Sequence, residues 1–340
     1  MFDSHCHLQF NAYKDGREAV VKRCLEKGVQ CNIVGTQKDT SKAAVELAEK
    51  YDGLYATIGL HPIHITSTEV DEEEIIFKSR EESFDEAYYS ELAKSKKVIA
   101  VGECGIELFH LPPDANKEEI FKKQTEMFLQ QINFARKHDL ALVVHIRDAY
   151  DETIEVLKSV IPTEAEGRAE ESLRLTSKRD SSTALRSARN DNIVSSPLRG
   201  VIHCFSGNWQ QAQQFLDMDF YLGFTGIITF PARKTNPKPT EDLLEVVQKC
   251  PLDRMLIETD APYLAPQAYR GQRCEPWMVG EVAKKIADLR GLTLEEVDKI
   301  TSDNFRMLFK IGNINIYTTL ARKWNFFHFT RYACILEIEN

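Results

Sequence analysis

The sequence contains no Cys-x-x-Cys pair, although it holds eight cysteines, at positions 6, 24, 31, 104, 204, 250, 274 and 334. That spacing argues against a structural zinc cluster and gives no sign of a disulfide framework, so a reducing compartment fits best. No apolar run approaches the roughly 20 residues needed to span a membrane. Nor does the N-terminus read as a cleaved signal peptide, because histidines stand where such a peptide would be removed. Positive charge is also short. Lys and Arg number 43 against 52 Asp and Glu, a formal net charge of -9. The surface as a whole therefore does not attract a polyanion, and nucleic-acid chemistry would need cations concentrated at one site, bound metal among them. These absences lead us to expect a cytoplasmic protein (a nuclear one is compatible) with no membrane association and no obligate protein partner.

Hydrophobic residues make up 43% of the 340 and charged residues 28%, the balance of a globular protein with a substantial core. The length suits two ordinary domains, or one α/β barrel of about 250 residues with insertions. Eight short runs read as strands, at 2–7, 31–35, 55–60, 97–102, 140–145, 200–205, 220–225 and 254–259. Their Val, Ile, Leu and Phe content suits strands buried on both faces. Amphipathic helix patterns lie between them, at 16–28, 39–51, 117–138, 208–218 and 278–290. Eightfold strand–helix alternation implies parallel strands closed into a (β/α)8 TIM barrel. The second choice, an open doubly wound sheet, is disfavoured because no Gly-x-Gly-x-x-Gly follows the first strand.

Two stretches fall outside that plan. Residues 163–197 are polar and almost devoid of large apolar groups. They cannot bury enough surface to offset their ordering entropy, which predicts a mobile insertion between strands 5 and 6. Residues 311–340 form an aromatic, apolar C-terminal extension of unknown role. The barrel is thus expected over residues 1–310, the insertion included.

The chain opens with MFDSHCHLQF, and in a strand alternate side chains share a face, so His5 and His7 point together. Two neutral imidazoles so placed can share one divalent cation. Two histidines can also meet by chance, and the rest of the chain decides. Glu103 follows strand 4, His145 ends strand 5, His203 lies near the end of strand 6 and Asp260 follows strand 8, while His61 follows strand 3. In a (β/α)8 barrel these positions converge on the C-terminal rim, where the active sites of this fold are built. Singly, each has an ordinary explanation as a core histidine or a helix cap. Together, four imidazoles and two carboxylates suit a binuclear site in which Glu103 bridges two ions. Imidazole favours Zn²⁺ or Mn²⁺ over Mg²⁺, although availability often decides which ion is bound. Asp260 could take the proton of an activated water, and the site reads as hydrolytic. Arg147, Arg270 and Arg273 are candidate phosphate contacts on the same rim, each with a solvated or salt-bridged surface role as its alternative. Glu258, two residues before Asp260, is a candidate to orient a ligand. Cys6, Cys104 and Cys204 adjoin ligands but alternate away from them.

The segments FDSHCHL, GLHP, GECGIE, HIRDA, HCFSG, IETDAPYLAP and RCEP occur in the order found in the TatD-type metal-dependent deoxyribonucleases, and TSDNFRMLF resembles that family's C-terminal helix. The resemblance covers about residues 1–310 apart from the insertion. It implies an amidohydrolase-type TIM barrel, DNA as substrate, and two divalent metal ions held by His5, His7, Glu103, His145, His203 and Asp260, with His61 as a catalytic or substrate-contacting histidine. Ile106 and Glu107 stand where the family usually has Leu and Asp, and Cys274 stands where Asn is usual. The expected activity is metal-dependent cleavage of DNA phosphodiester bonds, exonucleolytic on single strands or 3′ ends. The alternatives are an amidase or lactonase of the amidohydrolase type, and a catalytically idle binding protein on the same fold. Many such amidases bridge their metals with a carboxylated lysine after strand 4; Glu103 at that place weighs against them.

Overall fold

The computed structural model describes residues 1–66, 69–72, 75–78, 80–112, 115–161 and 197–312. The polar segment at 163–197, apart from its last residue, and the extension beyond 312 lie outside the described residues. The barrel strands are β1 (Phe2–Cys6), β2 (Gln30–Val34), β3 (Leu54–Ile58), β6 (Val98–Glu107), β7 (Ala141–Arg147), β8 (Gly200–Ile202), β9 (Tyr221–Phe224) and β10 (Met255–Ile257). They pair in the order β1-β2-β3-β6-β7-β8-β9-β10, every pairing parallel. Just beyond the last strand, Asp260 N donates to His5 O at 2.9 Å and His7 N donates to Ala261 O at 2.7 Å. These bonds join the end of β1 to the chain leaving β10, so the (β/α)8 barrel closes at its C-terminal rim.

The helices that wrap it are α1 (Arg17–Glu26), α2 (Lys38–Lys50), α3 (Glu86–Leu92), α4 (Lys117–His138), α5 (Tyr150–Val160), α6 (Trp209–Asp217), α7 (Lys238–Lys249), α8 (Val279–Arg290) and α9 (Leu294–Phe309). Their ends are written in the sequence. Asn116 caps α4 by accepting from Glu118 N and Glu119 N, and Arg136, Lys137 and His138 face its negative C-terminal end. Asn208 with Gln211 and Thr293 with Glu296 form capping boxes on α6 and α9.

Helix α9 closes the N-terminal end of the barrel. Its Phe305, Leu308 and Phe309 form one apolar cluster with Phe2, Ile99, Val143, Val201 and Leu256 of the strands, and the Phe2 and Phe305 rings stack at 4.3 Å. Phe305 is fully buried. Phe305→Ala should destabilise the protein by about 3–5 kcal/mol in urea unfolding, because the site cannot collapse around so large a cavity. Metal content per folded molecule should stay as in the parent, since the ligands sit at the other end.

Two features differ from the sequence expectation. An antiparallel hairpin, β4 (Glu69–Glu72) with β5 (Ile75–Lys78), follows β3, between two expected barrel strands. The fourth barrel strand runs to Glu107, not to residue 102, so Glu103 lies within β6 and does not follow it. The cause is local. The register between β6 and β7 shifts between Val101 and Cys104, and Gly102 and Gly105 flank that irregularity at φ +153° and +143°. A Cβ on Gly105 would collide with the His145 carbonyl oxygen, and one on Gly102 with the Val143 carbonyl oxygen. GECG thus lets β6 bulge while pressed against β7 and carry the Glu103 side chain into the barrel mouth.

Candidate metal centre

Strand alternation brings His5 and His7 to one face, with their Nε2 atoms 3.2 Å apart. The His7 Nδ1–H donates to Val34 O at 2.7 Å, which leaves the Nε2 lone pair facing His5. Below them a buried polar layer fixes β1. Asp3 accepts from Thr259 N, Thr259 Oγ1 and His5 N at 2.9, 2.6 and 3.3 Å, and so ties His5 to the segment that carries Asp260. Burial pushes the Asp3 carboxyl well above its usual range. Ser4 Oγ donates to Glu258 Oε2 at 3.0 Å, and Glu258 Oε1 lies 2.9 Å from His203 Nδ1. Glu258 thus sits directly against the His203 ring. A Cβ at Gly223 would strike its carboxylate, so that carboxylate packs directly on β9.

Glu103 is 4% exposed and sits at the middle of the cluster. Its Oε2 lies 3.4 Å from His5 Nε2 and 3.8 Å from His7 Nε2. Its Oε1 lies 2.9 Å from His145 Nδ1, 3.6 Å from His61 Nε2 and 3.8 Å from His203 Nε2. Across from it, Asp260 Oδ1 is 3.3 Å from His7 Nε2 and 3.6 Å from the Nε2 atoms of both His5 and His203. Three sets of donor atoms are each mutually close enough to share one ion: His5, His7 and Asp260; His5, Glu103 and His203; His61, Glu103 and His145. Glu103 belongs to two of them.

The electrostatics suit a cation. Burial, with His203 beside it, lowers the His5 pKa and keeps the ring neutral, and its Nε2 faces the cluster. Burial works to raise the Glu103 carboxyl, but His61, His5 and the hydrogen bond from His145 outweigh it and hold it well below the usual carboxylate range. Burial likewise opposes charge on His145 and His203. Glu103 and Glu107 nevertheless push His145 up to about 10, and Glu258 and Asp260 push His203 up to about 9. In the protein alone, protons on these two rings thus supply positive charge that the carboxylates demand. A divalent ion would supply it better, since neutral imidazole nitrogens and carboxylate oxygens are the donors that Zn²⁺ and Mn²⁺ take. The six residues fit a metal.

His61 differs from the rest. Its Nδ1 accepts from Ile63 N at 3.1 Å. Burial and the neighbouring His145 hold its pKa well below normal, so the ring is neutral and its one proton must reside on Nε2. That atom is therefore a hydrogen-bond donor aimed into the site. Glu107, which stands where the family usually has Asp but was given no contact on sequence, is 1% exposed and receives His145 Nε2 on Oε2 at 3.1 Å. Its position four residues after Glu103 in the same strand, an even spacing that returns it to the same face, was a usable signal.

The three arginines lie at the edge of the site, each over an aromatic ring: Arg147 over Phe109 at 4.4 Å, Arg270 over Phe230 at 4.5 Å and Arg273 over Tyr13 at 4.5 Å. Arg273 also donates to Ala12 O and lies 3.6 Å from Glu275. These contacts tie Arg273 to the segment before α1 and to the loop after β10. The same loop is held through the backbone of Cys274, whose carbonyl accepts from the Tyr13 hydroxyl and whose N–H donates to Pro262 O. Cys6 and Cys104 turn away from the cluster toward backbone carbonyls, and Cys204 contacts Thr225.

A family model described as "TatD related DNase" matches residues 2–310, which span the whole barrel and every residue of this cluster. The chain belongs to the TatD-related DNase family. Among its TatD-family relatives, the Bacillus subtilis protein named metal-dependent hydrolase YabD is 34% identical over 313 residues, 92% of this chain and all of that one. The Escherichia coli metal-dependent hydrolase YcfH is 29% identical over 92% of this chain and 96% of its own. Of the solved structures, the E. coli TatD homologue YjjV superposes with a TM-score of 0.66 at 25% identity, covering 92% of this chain and 98% of that one. A TatD-family hydrolase from Entamoeba histolytica gives 0.62 at 19% identity over 91% and 97%, a likeness of fold. The TatD-family barrel described above is thus that of a metal-dependent hydrolase family. Among the described residues, no helix is long and apolar enough to cross a membrane.

Proposed function

We propose that this protein is a metal-dependent deoxyribonuclease that removes nucleotides from single strands or 3′ ends, using two divalent ions (Zn²⁺, Mn²⁺ or Mg²⁺) bridged by Glu103. The observation that carries the proposal is the Glu103 carboxylate, whose Oε2 faces His5 and His7 while its Oε1 faces His145 and His203. One ion would take His5, His7 and Asp260 with Glu103; the other would take His145 and His203 with Glu103. Ions there would supply Lewis acidity, acidifying water and drawing charge from a phosphoryl oxygen.

The side chains do the rest. Asp260, its Oδ1 among three imidazole nitrogens, accepts the proton of the attacking water and passes it outward. His61 Nε2–H donates to a phosphoryl oxygen and steadies the charge that gathers there. Glu107 and Glu258 fix the rings of His145 and His203. Arg147 and Arg270 are the phosphate contacts proposed at the rim.

The test incubates metal-loaded protein with end-labelled single-stranded and duplex oligonucleotides, beside a panel of cyclic amides and lactones. Stepwise shortening from one end, abolished by chelator, is expected. Intact DNA under every metal, with an amide or lactone turned over, would overturn the proposal.

With a net charge of -9, DNA must be held by local cations only. Two or three contacted single-strand phosphates predict a slope of about −2 in log affinity against log salt. Binding measured between 50 and 200 mM salt checks this, and a slope several times steeper would show an extended phosphate track.

A further inference from the structure

Among the described residues two large apolar side chains are exposed, Phe109 at 54% and Leu294 at 40%. Leu294 merely opens α9. Phe109 stands two residues beyond Glu107, whose Oε2 contacts His145 and whose Oε1 accepts from Phe109 N at 2.7 Å and His110 N at 3.0 Å. One carboxylate thus fixes both a ring of the metal cluster and the backbone of Phe109. The Arg147 guanidinium lies over the Phe109 ring, and the His110 ring meets it edge-on at 4.8 Å and 87°. More than half of Phe109 still faces water. The other two rings that carry arginines have less to offer: Tyr13 is fully buried and Phe230 half-buried.

A lone ring among Glu107, His110 and Arg147 is too small and too polar in its surroundings for a protein-docking patch, which runs to several hundred Å². It suits a planar partner. Stacking on a ring needs no matched hydrogen bonds, tolerates any base, and gains from a guanidinium on the opposite face. We propose that Phe109 is a base-stacking subsite: a nucleobase adjoining the scissile phosphate lies on its ring, with Arg147 backing the other face. This rests on the nuclease reading and adds that the enzyme grips a base as well as phosphates, without reading its identity.

Oligonucleotides carrying a single 2-aminopurine at each of the three terminal positions, from either end, are titrated with metal-loaded Asp260→Asn protein that retains Phe109 or carries Phe109→Ala or Phe109→Tyr. Fluorescence should be quenched at one position, equally with Tyr, and not with Ala. Phe109→Ala should weaken binding about 10-fold, and an abasic nucleotide at that position should remove the difference between Phe and Ala. Equal quenching with Ala, no quenching at any position, or an equal loss for intact and abasic strands would overturn the subsite while leaving a protein that binds and cleaves DNA a nuclease. A protein that binds no oligonucleotide in any form overturns both readings.

Discussion

Glu103→Ala should lose both metal ions together and with them at least about 10³-fold in kcat/KM, the several kcal/mol that metal electrophiles supply. The reason is the divided placement of its two oxygens, one toward His5 and His7, the other toward His145 and His203. A ligand serving one ion would, when removed, leave the other ion bound. Glu103 also balances the surrounding imidazoles, and without it His5, His61 and His203 face each other with one fewer carboxylate among them. His145→Ala should instead lower occupancy of one ion, because its other partner, Glu107, lies outside the shared set. Metal analysis after gel filtration separates the cases: near zero for Glu103→Ala and about one per chain for His145→Ala. Two ions retained in Glu103→Ala would end the bridging role.

Asp260→Asn should keep an oxygen beside His5, His7 and His203 while losing the proton acceptor. Burial opposes ionisation of Asp260, but His203, His7 and His5 outweigh it and hold the carboxyl below its usual range, so it is ionised in the resting site. Removing a positioned general base costs about 10²–10⁴-fold in rate. The expected result is a fall of that size in kcat with much of the metal retained. Loss of kcat in strict proportion to lost metal would make Asp260 a ligand alone.

The barrel was legible because most of its strands are short apolar runs, and the centre because His and acidic residues recur at one end of those runs. What stayed hidden has physical causes. The extent of β6 depends on Gly102 and Gly105 accommodating a close approach to β7, a tertiary fact that propensity does not carry. Asp3, Ser4 and Asn32 read as ordinary polar residues in strands, yet they are buried and join β1 to β2 and β10 beneath the ligands. Arg147, Arg270 and Arg273 carry no sequence mark of the aromatic rings they lie over, because each ring is brought there by the fold. The resemblance already set His61 apart from the ligand histidines; the bond from Ile63 N to its Nδ1 is a fact of conformation the sequence does not carry.

The central claim, two ions joined through Glu103, is tested most directly by anomalous diffraction from crystals of the protein loaded with Mn²⁺. The account predicts two peaks about 3.5–4 Å apart on either side of the Glu103 carboxylate, one against His5, His7 and Asp260, the other against His145 and His203. A single peak under saturating metal, or a second peak away from Glu103, would contradict it.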